Sequence, residues 1–414
     1  MNIQVQRWID RWVGIPLCAA VSLLDVALNK LRAPRPADQA PRAIVVILLS
    51  EMGSLVLAHD MFARFRQRYP DAQLHALLFG KNREILDLMQ LVRPEHVHTV
   101  DDSSLPALLS SLWRAIAELR RANVDVAIDC ELFSRISSLL SYASGASVRV
   151  GFHRHTQEGL YRGSHINRRV PYNPYQHISA QFLTLARAID STAVPKSKLP
   201  VLVSGKAPPH VALEPALLAG ITARLAQDFP EIAGKPLVLV YPGGGILPIR
   251  AWPLASYTAM CKGLVADGCA VAVIGLKDDR ALAQQLVANI QAAAPCSTAI
   301  DLTGYTRSIA ELLSLFHVAK LLVTNDGGPG QFAALTPIWT LMLFGPETPG
   351  LYAPLTPKCH SFYSQWPCSP CLTAYNHRSS YCDGDNQCLK VIAPGAVLAK
   401  ARECLAQDAT GIAV

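Results

Sequence analysis

The sequence predicts an α/β protein built from two doubly wound, Rossmann-like parallel-sheet domains. Three observations lead there. From Arg42 onward, short apolar runs alternate with longer amphipathic stretches, the pattern of strands with covering helices. The runs are apolar throughout rather than at every second position, as in strands buried on both faces. The alternation occurs twice, and 414 residues suffice for two domains that each bury a core.

The elements follow in order. Residues 1–41 precede the first domain. Residues 8–31 read as one helical segment in which Ile15, Leu17, Val21, Leu23, Leu24, Val26 and Leu28 are apolar and Asp25 interrupts. Arg7, Arg11, Lys30 and Arg32 flank it, and Trp8 and Trp12 stand at its start. That is the makeup of an interfacial helix on an anionic membrane; packing on the domain or on a partner is the competing reading. A Pro-rich linker runs to Pro41.

Residues 42–190 form the first domain, with strands expected at 44–49, 73–79, 97–100, 124–128 and 148–152. Helices are expected at 55–68, 83–91, 105–122, 134–142 and 178–189. The first strand runs into Ser50-Glu51-Met52-Gly53-Ser54 and the fourth into Asp129-Cys130-Glu131. The segment from His153 to His177 is rich in His, Arg, Tyr and Asn. It is expected outside the core, as a surface loop or a polar wall. In the wall reading Arg154, Arg162, Tyr172 and His177 meet a phosphorylated or saccharide ligand.

Residues 191–235 read as the interdomain connection with one helix, 213–228. Residues 236–414 form the second domain. Strands are expected at 236–240, 270–274, 298–302, 321–323 and 339–344, and helices at 254–265, 281–292, 309–318 and 396–405. Two glycine loops follow strands here. Tyr241-Pro242-Gly243-Gly244-Gly245 lacks the Gly-Lys-Ser/Thr of a Walker loop. Asn325-Asp326-Gly327-Gly328-Pro329-Gly330 leads into a helix start at Gln331, whose free N–H groups suit an anion such as a diphosphate. An ordinary packing turn is the alternative.

A net charge of +7 is mild: it fits a solvated basic surface or attraction to anionic lipid or phosphorylated substrates. With no long Lys/Arg run and no aromatic–basic motif, nucleic acid is not an expected partner. The chain holds eleven cysteines and no evident cleavable signal peptide, which predicts a reducing, cytoplasmic location. Cys368-Ser369-Pro370-Cys371 followed by Cys382 and Cys388 is a candidate structural zinc site, with reduced thiols or a disulfide as alternatives.

Asp326, Gly327, Gly328, Ala333, Ala334, Pro337, Phe344, Gly345, Pro346 and Thr348 together resemble the signature of glycosyltransferase family 9, which contains the ADP-heptose:lipopolysaccharide heptosyltransferases. Arg250-Ala251-Trp252-Pro253 resembles that family's basic–any–Trp–Pro motif, and the resemblance extends from about Ala43 onward. The chain departs at Gln331, where the family has His, and at Gly53-Ser54, where it often has Gly-Asp. The resemblance implies a GT-B fold, two facing domains with a cleft between them. It also implies an inverting transfer from a nucleotide-diphosphate sugar of ADP-heptose type to a saccharide or glycolipid acceptor. No cofactor is required. The expected donor site is Gly244, Gly245, Arg250, Asp326, Gly327, Gly328 and Gln331. The acceptor belongs to the first domain, with Glu51 as the expected base, Ser54 at the family's Asp position and Glu131 as the rival carboxylate. Two other functions fit the same plan: a sugar-nucleotide epimerase and a catalytically silent binding subunit.

Overall fold

Short apolar runs become strands wherever both their faces can be covered. In β1 (Ala43–Ile47) all five residues are buried. Val45 and Ile47 pack with Leu77, Ala115 and Leu119 on one face, while Ile44 and Val46 are buried on the other. Each such side chain contributes roughly 1.5–3 kcal/mol by leaving water, so a charge at Val45 would undo the layer. The computed structural model describes residues 3–29, 40–49, 51–132, 134–153, 161–200, 207–293, 298–376 and 378–410.

The chain divides into units Met1–Ser204 and Gly205–Val414. In the first unit β1, β2 (Gln73–Phe79), β3 (Val97–Val100), β4 (Val126–Asp129), β5 (Val148–His153) and β6 (Arg168–Pro171) form a sheet ordered β3-β2-β1-β4-β5-β6. In the second unit β7 (Leu237–Tyr241), β8 (Ala270–Gly275), β9 (Ala299–Thr303), β10 (Leu321–Asn325), β11 (Trp339–Phe344) and β12 (Cys359–Tyr363) are ordered β12-β11-β10-β7-β8-β9. Counted from each unit's own first strand, the two orders are identical. All pairs are parallel, including the central β1–β4 and β7–β10 pairs. In each sheet the order reverses at that central pair, and the crevice outside its carboxyl ends is where such sheets bind ligands. Helix Pro215–Asp228 packs on helix Ile309–Val318 of the second unit.

Two edge strands are additions to the sequence reading. β6 carries Arg168, Arg169 and Pro171, and β12 carries Cys359 and His360, compositions that hide a strand. Edge positions tolerate both polarity and proline. The expected helix at 55–68 forms as Met52–Leu57 and His59–Arg68. The amino-terminal segment forms α1 (Ile3–Trp12) and α2 (Gly14–Asn29), broken at Val13 because Pro16 has no N–H to offer Trp12.

The His153–His177 segment corrects the expectation that it lies outside the core: His153, Arg162, His165, Ile166 and Tyr172 are all buried. Burial is tolerated because the polar groups are partnered. Arg162 is wholly inaccessible; its guanidinium donates to Asp129, to the Phe152 carbonyl (2.9 Å), to the Ser134 carbonyl (2.9 Å) and to Ser137 Oγ (3.0 Å). Burial raises the Asp129 carboxyl to about 6 even with Arg162 beside it.

Candidate active site

The second unit's switch point is organised by Asn325, the buried last residue of β10. Its Oδ1 accepts from the Trp252 N–H and the Tyr257 hydroxyl, both at 2.9 Å. Its Nδ2 donates to the carbonyls of Pro242 (3.1 Å) and Gly243 (2.9 Å). One side chain therefore ties the loop after β7 and the segment carrying Arg250 to the end of β10. That loop turns back tightly: a Cβ on Gly244 would lie 2.7 Å from the Leu247 carbonyl oxygen, and Gly245 has φ +59°. Trp252, fully buried, donates from Nε1 to the Ile392 carbonyl and anchors the one-turn helix Pro248–Arg250.

Arg250 is thereby held over the end of the sheet. Its Nε lies 3.5 Å from Asp326 Oδ2 and its Nη2 2.9 Å from Glu347 Oε1. Glu347 also takes Arg378, whose Nε is 3.2 Å from the same oxygen. Arg378 donates to the Tyr352 hydroxyl and lies over that ring, 5.3 Å from its centre. Asp326 and Glu347 are buried and the two arginines mostly so. Two guanidinium groups and two carboxylates thus converge at the carboxyl ends of β10 and β11. An incoming diphosphate would compete with the carboxylates for both arginines, and fork geometry suits it.

Gly327 and Gly328 sit at the start of the next helix, which begins at Gly328 rather than Gln331 and spans six residues, Gly328–Ala333. Gln331 is inside it and buried; its Nε2 donates to the Tyr352 carbonyl at 2.6 Å, and its Oε1 has no hydrogen-bond partner among the described residues. Gly330 is there for packing, since a Cβ would lie 2.8 Å from Met342 Sδ.

The first unit's switch point holds carboxylates. Leu48, Glu51, Ser54, Cys130, Glu131, Leu132, Ile178 and Phe182 line one small pocket at the ends of β1 and β4. The Ser54 hydroxyl donates to Glu51 Oε2 at 2.7 Å and orients that carboxylate. Glu131 Oε1 accepts the Leu49 N–H at 2.6 Å, which commits one of its oxygens.

Glu51, Ser54 and Glu131 are therefore brought together, as are Gly244, Gly245, Arg250, Asp326, Gly327, Gly328 and Gln331. The expected acceptor residues are not. Arg162 is a buried cation whose guanidinium is committed to partners inside the first unit. Tyr172 is buried edge-on against Phe152. His177 caps helix Ile178–Ala188 by accepting the Ser179 N–H. Arg154 lies outside the described residues. Sequence reasoning assigned no role to Glu347; the signal was its place in the polar loop after the strand adjoining β10.

Cys368, Cys371, Cys382 and Cys388 are free thiols, and among the described residues no three His, Cys, Asp or Glu side chains are arranged to hold a metal. The four cysteines do share a neighbourhood. The Cys388 thiol is pushed up to about 11, by burial first and then by Cys371, Cys368 and Cys382.

The profile of glycosyltransferase family 9 (heptosyltransferase) matches residues 112–381. Lipooligosaccharide heptosyltransferase 2 of Haemophilus ducreyi is 25% identical over 316 residues, covering 76% of this chain and 86% of the relative. The solved structure of the E. coli ADP-heptose lps heptosyltransferase II superposes with a TM-score of 0.66 at 20% identity, over 89% of this chain and 99% of that one. E. coli heptosyltransferase WaaC with ADP superposes with a TM-score of 0.59 at 15% identity, over 87% and 99%. These likenesses give the fold as GT-B.

Proposed function

The chain belongs to glycosyltransferase family 9 and is a glycosyltransferase, and from that premise we propose that it moves heptose from an ADP-heptose-like donor to a lipid-linked saccharide of lipopolysaccharide type. The observation that carries this is the Arg250–Asp326–Glu347–Arg378 cluster at the second unit's switch point. Residues 236–414 hold the donor and residues 42–190 the acceptor. Arg250 and Arg378 take the diphosphate, and their charge offsets that of the leaving group as the sugar–phosphate bond breaks. Gly244, Gly245, Gly327 and Gly328 let the backbone approach the nucleotide. Asp326 accepts from a donor hydroxyl or holds Arg250 in place, and Gln331 turns its Oε1 to the donor.

On the first unit Glu51, oriented by Ser54, takes the proton of the acceptor hydroxyl as that oxygen attacks the anomeric carbon. Glu131 is the rival base. The reaction inverts the anomeric centre in a single displacement. It takes place in the cytoplasm at the inner face of the inner membrane, where a lipid-linked acceptor is found. We also propose that Cys368, Cys371, Cys382 and Cys388, which share a neighbourhood but as they stand are not arranged to hold a metal, draw together around a structural zinc. Metal analysis should then find about one zinc per chain, whereas no zinc with all thiols titrating would remove that assignment.

The test is purified protein with ADP-heptose and a lipid-linked saccharide. ADP release that requires the acceptor, with heptose on the product, is expected. Epimerised donor, or donor binding without turnover, would overturn the reading in favour of an epimerase or a silent binding subunit.

A further inference from the structure

The amino-terminal segment is built inside out. Along α1 and α2 the sites nearest the rest of the first unit are Asp10, Gly14, Cys18, Ser22 and Asp25, spaced by three or four and so on one helical side. All are small or polar, and they are firmly held. Asp10 Oδ1 accepts the backbone N–H groups of Arg135 (2.8 Å) and Ile136 (3.0 Å), and its Oδ2 pairs with Arg135 Nη1 at 3.1 Å. A Cβ on Gly14 would lie 2.8 Å from Arg135 Cβ. Ser22 Oγ accepts the Ser164 N–H at 2.8 Å. Asp25 pairs with Arg149 Nη2 at 2.9 Å, both side chains buried.

The outward side is the apolar one. Trp8, Trp12, Leu17, Leu23, Leu24 and Val26 are each 47–74% exposed. An ordinary surface helix has the opposite polarity, and an exposed apolar face of this extent marks an interaction site.

Charge decides what covers it. From Trp12 to Leu28 the only charged residue is Asp25, and it is turned inward. Cations bracket the stretch in sequence: Arg7 and Arg11 before it, Lys30 and Arg32 after it. The Arg11 guanidinium lies over the Trp12 ring at 5.5 Å, and paired Trp and Arg side chains are anchors of the membrane–water interface. A net charge of +7 draws the chain to an anionic lipid surface and opposes a second copy of itself. Residues Trp8–Leu28 are long and apolar enough to cross a membrane. Crossing, however, would break the Asp10–Arg135 and Asp25–Arg149 pairs and carry a carboxylate into hydrocarbon.

We infer that α1 and α2 form a flat membrane dock. Trp8, Trp12, Leu23 and Leu24 enter an anionic bilayer surface, and Asp10 and Asp25 bind the dock to the first unit. The inference rests on the proposed function for its purpose, since it holds the first unit where a lipid-linked acceptor lies.

The test is sedimentation of the full-length chain with phosphatidylcholine vesicles, with and without phosphatidylglycerol, beside a Leu23→Glu/Leu24→Glu variant. Wild type should bind the phosphatidylglycerol vesicles, more weakly in high salt, and be released by alkaline carbonate. The variant should bind about tenfold less well, because two carboxylates now face the lipid. Its transfer rate to a water-soluble, delipidated saccharide should equal that of wild type. Absence of wild-type binding, or equal binding by the variant, would overturn the dock. Retention through carbonate would overturn it in favour of a crossing helix, and a solution dimer that the variant dissolves in favour of self-association. Binding is read without transfer, so failure of the proposed reaction registers separately.

Discussion

At the ends of β1 and β4 the chain places Glu51, Ser54 and Glu131; at the corresponding ends of β7 and β10 it places Arg250 and Asp326, joined by Glu347 and Arg378. The strand orders beneath are the same. The backbone supplies two equivalent crevices, and the loops give them opposite chemistry. In the first unit the buried cation below the pocket, Arg162, is committed to Asp129 and to carbonyls, so the pocket itself presents carboxylates and a hydroxyl. In the second unit two arginines are paired with two buried carboxylates. The comparison teaches that the chemical difference between the two crevices lies in three or four loop residues per sheet, not in the sheet.

The sharpest way to break this comparison is to remove what holds the arginines. Glu347→Ala leaves Arg250 and Arg378 without their shared, buried partner. Loss of one member of a buried pair should lower stability by about 3 kcal/mol, read by urea titration. A change within error would mean that the arginines are positioned by Asp326 and Tyr352 instead. The next effect belongs to the first unit. Glu51→Gln should lower the transfer rate by roughly 100-fold, the scale of general-base loss, with the fold intact. Near wild-type transfer by that variant, with Glu131→Gln inactive, would move the base to the second carboxylate of the same pocket.

The fold was legible because central strands are apolar on both faces; β1, β2, β10 and β11 each announce themselves. The edge strands β3 and β9 were legible too, but β6 and β12 were not, because they carry residues that only an exposed strand tolerates. Of the site, the glycines and Arg250 could be read from local sequence. Glu347 could not, because its role comes from convergence with a distant tail segment; in that tail the stretch 375–378 reads as facing the donor or acceptor, and its Arg378 is the residue that meets Glu347. Arg162 shows the reverse error: a polar stretch reads as surface until its partners, Asp129 and three backbone or hydroxyl oxygens, are seen to bury it.

A smaller effect separates the units by pH. His75 and His165, both in the first unit, have ring pKa values lowered to about 4, chiefly by burial. A neutral histidine held below its unfolded value of 6.5 stabilises above that pH and loses its contribution as pH falls toward 4. Asp129, raised to about 6, acts in the opposite direction, but two histidines outweigh one aspartate. The net is a loss of stability as pH falls from 7 to 5, larger in the first unit although burial also lowers His210 and His360 in the second. Thermal melts across this range should show the first unit unfolding first; equal loss in both units would mean that other groups dominate.

The account's central claim is that donor and proton acceptor sit at different switch points, and calorimetric titration with ADP tests it most directly. Arg250→Ala should raise the ADP dissociation constant about tenfold, through loss of a charge-assisted contact. Glu51→Gln should leave the constant unchanged. The reverse pattern, with ADP affinity lost in Glu51→Gln and kept in Arg250→Ala, would contradict it.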